Sequence, residues 1–226
     1  MKKINVFLAG DSTMADYEAS RAPQAGWGQM LSHFFNDTVV IENHAVNGRS
    51  SKSFLDEGRL AIIQDRMGAG DYLFIQFGHN DQKPDEARRT CPFTSYQEYL
   101  LKYIEVARNS RGTPVLITPV QRRKFNDDGT LCETHGDFPL AMKQLANSQN
   151  VPLIDLTLLS SKMMERLGQE DSKKLFMWLA PGVTTNFPDG VQDDTHFNGQ
   201  GAQLVAELIA YSIRNSHLPL AAYLKK

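Results

Sequence analysis

Three residues lying far apart in the chain carry side chains that could together perform acyl transfer: Ser12, Asp193 and His196. A serine hydroxyl is a weak nucleophile until a neighbouring imidazole accepts its proton, and the imidazole needs a third group to hold its tautomer. Asp193 and His196 stand three residues apart, a spacing that lets two side chains meet if the backbone makes one helical turn. Asp194 is the alternative carboxylate. The charge that develops on an attacked carbonyl oxygen needs preorganised donors. The backbone N–H groups of Ser12 and Gly48 and the side-chain amide of Asn80 could supply them. Each residue also has a plain structural reading. Ser12 could cap a turn, Gly48 could serve a positive φ and Asn80 could close a loop.

These residues need a frame that delivers them to one place. Short β-branched or aromatic runs alternate with longer helical patterns, the mark of parallel strands joined by crossover helices. Strands are expected at Ile4–Ala9, Val39–His44, Tyr72–Phe77, Val115–Ile117 and Leu153–Asp155. Their apolar runs are continuous rather than alternating, so helices should cover both faces. The expected fold class is α/β, a three-layer α/β/α sandwich on a five-stranded parallel sheet. Helices are expected at Gly28–Phe35, Ser53–Asp65, Ser95–Ser110, Phe138–Ser148, Thr157–Leu167 and Gln200–Ser212, the last burying Ala202, Val205, Ala206, Ile209 and Ile213. Longer irregular stretches fall at Gly78–Thr94, Thr118–Gly136 and Lys173–Thr195. In an open parallel sheet ligands gather outside the carboxyl ends of the strands. Three such ends are unusually polar: Gly10-Asp11-Ser12, Asn47-Gly48-Arg49-Ser50 and Gly78-His79-Asn80-Asp81.

Composition narrows the partners. A length of 226 residues fits one domain spanning 1–226, and 41% hydrophobic with 22% charged residues excludes a disordered or fibrous chain. The formal net charge of -2 and a single short basic cluster, Arg122-Arg123-Lys124, argue against nucleic acid as a partner. No run approaches the roughly 20 apolar residues that span a bilayer. The basic start at Met1-Lys2-Lys3 lacks the apolar length and cleavage site of a signal peptide, so a cytoplasmic location is expected. Cys91 and Cys132 lack metal-ligand spacing and are expected to pack structurally.

Taken in order, Gly10-Asp11-Ser12, Gly48, Gly78-His79-Asn80-Asp81 and Asp193-Asp194-Thr195-His196 resemble the four blocks of the SGNH/GDSL hydrolase superfamily. More narrowly, Asp11-Ser12-Thr13-Met14, Gly26-Trp27-Gly28-Gln29, Asn43-His44-Ala45-Val46-Asn47-Gly48-Arg49-Ser50 and Gln76-Phe77-Gly78-His79-Asn80-Asp81 resemble rhamnogalacturonan acetylesterases, as do Thr118-Pro119-Val120 and Thr195-His196-Phe197. The resemblance implies a flavodoxin-like sandwich, a triad at Ser12, Asp193 and His196, oxyanion donors at Ser12, Gly48 and Asn80, and neither metal nor organic cofactor. It implies removal of acetyl groups from a pectic sugar backbone, with imported oligosaccharides as the expected substrate.

Four further residues are candidates for touching substrate: Trp27, as a pocket wall or sugar platform, and His79, Arg122 and Arg123. Trp27 also reads as core packing, His79 as a loop anchor, and the arginines as a solvated face. Because pectic ligands carry uronate carboxylates, one of the arginines is expected to contact a galacturonate. His33, His135 and His217 are expected at the surface. The rival activities are a lipase or thioesterase using the same triad on longer acyl chains, a metallophosphoesterase built from Asp11, His79, Asn80, Asp81, Asp193 and His196, and a non-catalytic sugar-binding domain.

Overall fold

The computed structural model describes residues 3–225; Met1 and Lys2 of the basic start, with Lys226, lie outside the described residues. The strands are β1 (Ile4–Gly10), β2 (Gln24–Ala25), β3 (Val39–Asn43), β4 (Tyr72–Gln76), β5 (Thr113–Ile117), β6 (Leu153–Ile154), β7 (Phe176–Leu179) and β8 (Val191–Asn198). The helices are α1 (Trp27–Met30), α2 (Ser51–Asp56), α3 (Arg59–Arg66), α4 (Gln97–Asn109), α5 (Phe138–Ser148), α6 (Leu156–Ser172) and α7 (Gly199–Arg214). Five strands form a parallel sheet in the order β3-β1-β4-β5-β6. The path reverses direction across the sheet at β1, which opens a crevice outside the carboxyl ends of β1 and its neighbours.

Successive side chains of a strand point to opposite faces, and β1 fills two cores in this way. Val6 and Leu8 join one apolar cluster with Phe74, Val115 and the inner stripe of α7, while Phe7 and Ala9 join another with Leu73, Ile75 and residues of α3, α4 and α5. Each fully buried Val, Leu, Ile or Phe side chain among them contributes about 1.5–3 kcal/mol. The expected α7 stripe of Ala202, Val205, Ala206, Ile209 and Ile213 is buried as read.

The structure departs from the sequence reading in a few places. The helix expected over Ser53–Asp65 is two helices, α2 and α3, because the chain turns at Gly58 with φ 73°. The one expected over Gly28–Phe35 is the short α1 followed by a 3-10 turn, Leu31–Phe34. The irregular stretch Lys173–Thr195 holds β7 and most of β8, which with β2 make a second, three-stranded antiparallel sheet. Cys91 is exposed rather than packed, and Cys132 is a free, partly exposed thiol. Among the described residues no helix is long and apolar enough to cross a membrane.

Candidate active site

The loop after β1 is built around one buried carboxylate. The Asp11 backbone carbonyl accepts from the N–H groups of Met14 and Ala15, and its side-chain Oδ1 accepts from the Thr13 N–H at 2.9 Å and the Thr13 hydroxyl at 2.8 Å. From there a chain of buried hydrogen bonds leads away from the cleft. Gln76 Nε2 donates to Thr13 Oγ1 at 2.7 Å, and Trp27 Nε1 donates to Gln76 Oε1 at 2.7 Å. The Trp27 N–H also donates to the Thr13 carbonyl, and a Cβ at either Gly26 or Gly28 would collide with the backbone of this loop. Gly26-Trp27-Gly28 therefore braces the Ser12 loop from below. Trp27 is fully buried and does not reach the cleft, so its place as a pocket wall or sugar platform gives way to core packing.

Ser12, His196 and Asp193 come together. His196 Nε2 lies 2.9 Å from Ser12 Oγ, and His196 Nδ1 lies 2.7 Å from Asp193 Oδ2. The helical turn expected between Asp193 and His196 is absent. Phe176 pairs with Phe197 while Met177 pairs with Asp193, so residues 194–196 bulge out of β8. Asp193 Oδ1 accepts from the Thr195 N–H at 2.7 Å and the His196 N–H at 3.0 Å, which folds the bulge back on the carboxylate. Below the imidazole, buried Phe197 stacks on Phe176 and Asn198 caps α7 through the Gly201 N–H. Burial opposes ionisation of Asp193. The hydrogen bond and charge of the His196 ring and the two backbone N–H groups outweigh it, holding the carboxyl down at about 2.

Asp194 faces elsewhere. Its Oδ1 accepts from Arg123 Nη1 at 2.6 Å and from Trp178 Nε1 at 2.8 Å. The Arg123 side chain is buried, donates to the Gln169 carbonyl and packs over the Trp178 ring. The expected uronate contact at Arg123 fails for that reason, since its charge is already paired inside the protein. Arg122 donates to the carbonyls of Thr134 and His79 and does not line the cleft; burial lowers its pKa while Asp11 and Asp193 attract its charge.

Ser12, Gly48 and Asn80, the three expected oxyanion donors, line one cleft. Gly48 has φ 80°, a conformation that disfavours a side chain, and open space where a Cβ would project. Among the described residues neither its N–H nor that of Ser12 donates to another protein group. The Asn80 amide donates to the Arg49 carbonyl at 3.0 Å, and an NH₂ group keeps a second hydrogen for a ligand. Asp81 ties this loop to the start of α2, accepting from the hydroxyl and N–H of Ser51 and from the Thr90 hydroxyl. Burial raises Asp11 to about 6 and Asp81 to about 7, against the hydrogen bonds each accepts.

Ser12, Gly48, Asn80, Asp193 and His196 line one cleft of about 460 Å³. Tyr17, Arg21, Gln24, Lys83, Arg88, Met177, Phe187 and Val191 complete much of its wall. The Tyr17 hydroxyl donates to the Ser12 carbonyl at 2.8 Å. Sequence reading missed these residues. The one available hint was the position of Lys83, three residues past Asn80. A larger groove of about 660 Å³ runs along β7 and β8, meets the cleft at Val191 and contains neither Ser12 nor His196.

His79 and His135 are both buried, correcting the surface placement of His135. Nδ1 of His79 lies 3.2 Å from Nε2 of His135, whose Nδ1 lies 3.1 Å from Gln121 Oε1. His79 thus anchors the loop and does not face the cleft. Burial, reinforced by Arg122, lowers both, His135 to about 3. A histidine whose folded pKa is depressed binds fewer protons than its unfolded counterpart, so its stabilising contribution is lost as pH falls through the interval between the two. Asp11 and Asp81 act oppositely, their contribution being lost as pH rises through about 6 and 7. Comparing parent and His135→Gln by urea unfolding isolates the histidine. Between about pH 6.5 and 4 the parent should lose up to roughly 1.4 kcal/mol per pH unit relative to the variant, and parallel slopes would refute the buried neutral imidazole.

The model of the GDSL-like lipase/acylhydrolase family matches residues 8–204, which take in all four polar blocks. The chain belongs to this family. As a GDSL-family member it is a carboxylic ester hydrolase. It is 46% identical over 99% of its length to a rhamnogalacturonan acetylesterase of Bacillus subtilis (strain 168), covering 95% of that protein. It is 30% identical to a rhamnogalacturonan acetylesterase of Emericella nidulans, covering 89% of this chain and 81% of that one. A crystal structure of the Bacillus subtilis protein YXIM superposes with a TM-score of 0.83 at 27% identity over 97% of this chain, which spans 58% of that longer chain.

Proposed function

We propose that this GDSL hydrolase removes acetyl groups from rhamnogalacturonan-type pectic oligosaccharides through an acetyl-enzyme intermediate, and so serves pectin degradation. Ser12 attacks the acetyl carbonyl while neutral His196 takes its proton. The tetrahedral oxyanion is held by the N–H groups of Ser12 and Gly48 and by the Asn80 amide. His196 returns the proton to the departing sugar oxygen, and water, activated by the same imidazole, then releases acetate. Asp193 stays ionised, orients the ring and stabilises the imidazolium that forms at each step.

The observation that carries this reading is the unbroken Ser12–His196–Asp193 hydrogen-bond chain, at 2.9 Å and 2.7 Å, opening into a cleft with unused donors. The relatives support the choice of substrate, since two rhamnogalacturonan acetylesterases match across nearly all of this chain. The cleft is lined mostly by polar and charged side chains, which can pair the hydroxyl groups that a sugar ester would bury there.

Comparing kcat/KM on acetate and octanoate esters of one alcohol tests the acyl specificity. The acetyl ester should be preferred by at least about tenfold, because the mostly polar wall of the cleft gives a long apolar chain few apolar contacts. A preference for octanoate would replace the acetylesterase reading with a lipase-type one.

A further inference from the structure

We propose that Arg21 and Lys83 hold a uronic-acid carboxylate of the glycan that carries the scissile acetyl group, and thereby set a preference for acidic over neutral acetylated sugars. The inference rests on the esterase reading of the Ser12 cleft and adds the residues that read its substrate.

Three cationic side chains line the cleft with Ser12 and His196: Arg21, Lys83 and Arg88. Arg88 is neutralised, because its Nε lies 3.0 Å from both oxygens of Asp85 and its Nη2 lies 2.6 Å from one of them. Arg21 is different. It donates through Nη2 to Gln24 Oε1 at 2.8 Å and lies 5.2 Å from the centre of the Phe187 ring, and neither neutral neighbour cancels its charge.

Lys83 is placed by the oxyanion loop itself. Its backbone N–H donates to the Asn80 carbonyl at 3.0 Å, so the turn that fixes Asn80 also fixes the root of Lys83. Among the described residues its exposed ammonium makes no ion pair within 4 Å. Among the described residues the one carboxylate in the cleft wall, Asp193, is engaged with His196.

The cleft therefore offers an anion two positive groups that no described residue pairs with a carboxylate, in the same cleft as Ser12, on segments distant in sequence. A guanidinium presents a planar fork that fits a carboxylate, and an ammonium adds a mobile point charge. A neutral xylan ester or a fatty acyl ester would leave both without a counterion. The role expected of Arg122 and Arg123 thus moves to residues that reach the cleft.

The test is the ratio of kcat/KM on acetylated galacturonate-containing oligosaccharides to that on acetylated xylo-oligosaccharides. The parent should favour the acidic substrate, and added salt should erode the preference. Lys83→Gln and Arg21→Gln should each lower the ratio by about three- to tenfold, mainly through KM on the acidic substrate, and Lys83→Arg should restore most of it. Lys83 is exposed, so its variants will fold even if an Arg21 variant is impaired. A parent without acidic preference, or Lys83 and Arg21 variants with ratios within about twofold of the parent, would overturn the assignment while leaving the Ser12 chemistry standing. Acetate release that survives Ser12→Ala would overturn both.

Discussion

Ser12→Ala should lower kcat on acetyl esters by a factor on the order of 10⁶, the scale found when the nucleophile of a serine triad is removed. The size of the effect follows from what the residue does. With Ser12 gone there is no hydroxyl 2.9 Å from His196 Nε2, no acetyl-enzyme can form, and hydrolysis must rely on water and the remaining donors. Substrate binding should change much less, because the walls formed by Tyr17, Arg21, Asn80 and Lys83 stay in place. Folding should be preserved as well. The loop is held by Asp11, Thr13, Gln76 and Trp27, none of which bonds to the Ser12 hydroxyl. Steady-state kinetics beside a thermal melt would check both halves, and residual turnover within tenfold of the parent would be incompatible with the triad.

The second large effect separates two adjacent carboxylates. Asp193→Asn keeps the shape of the side chain but can present an amide N–H to His196 Nδ1, which favours the wrong tautomer and leaves the imidazolium without its counterion. A loss in kcat of about 10⁴ is expected. Asp194→Asn should instead act on stability. Its carboxylate pairs with buried Arg123 and receives the Trp178 N–H, so a cost of roughly 1–3 kcal/mol is expected with a far smaller loss in turnover. The pair of variants, compared by kcat and by urea midpoint, decides which carboxylate orients the imidazole. Equal losses in turnover at the two positions would contradict the geometry.

The central sheet was legible in the sequence because its strands are buried on both faces and so appear as continuous apolar runs. Phe7 and Leu8, or Leu73 and Phe74, serve opposite cores from adjacent positions. The small sheet was not legible. β2 has two residues, and Val191–Asn198 is a polar segment whose strand pairing depends on β7 and is interrupted by its own bulge. The spacing of Asp193 and His196 led to two side chains that do meet, through a local geometry other than the one expected, since a helical turn and a bulge closed by a side-chain oxygen both bring residues three apart into contact.

The contact between Ser12 and His196 was readable because their residue types are chemically demanding and they follow or precede recognisable elements. The walls of the cleft were not. Arg122 and Arg123 stood out in the sequence as a basic cluster and Arg21 did not, yet what separates them in the fold is the partner each meets. Asp194 and Trp178 capture Arg123, whereas among the described residues Arg21 and Lys83 meet no carboxylate. His135 likewise sits among Glu133, Thr134 and Gly136 with no apolar pattern, and its burial comes from the His79 and Gln121 side chains that converge on it.

In the proposed chemistry His196 activates the Ser12 hydroxyl for attack on an electrophile. Phosphonylation by an aryl alkylphosphonate, read by mass spectrometry of the intact protein and its peptides, tests it most directly. One adduct is expected, located on Ser12, absent in Ser12→Ala and formed far more slowly in His196→Ala. Labelling of another residue, or labelling of Ser12 at the same rate without the imidazole, would contradict it.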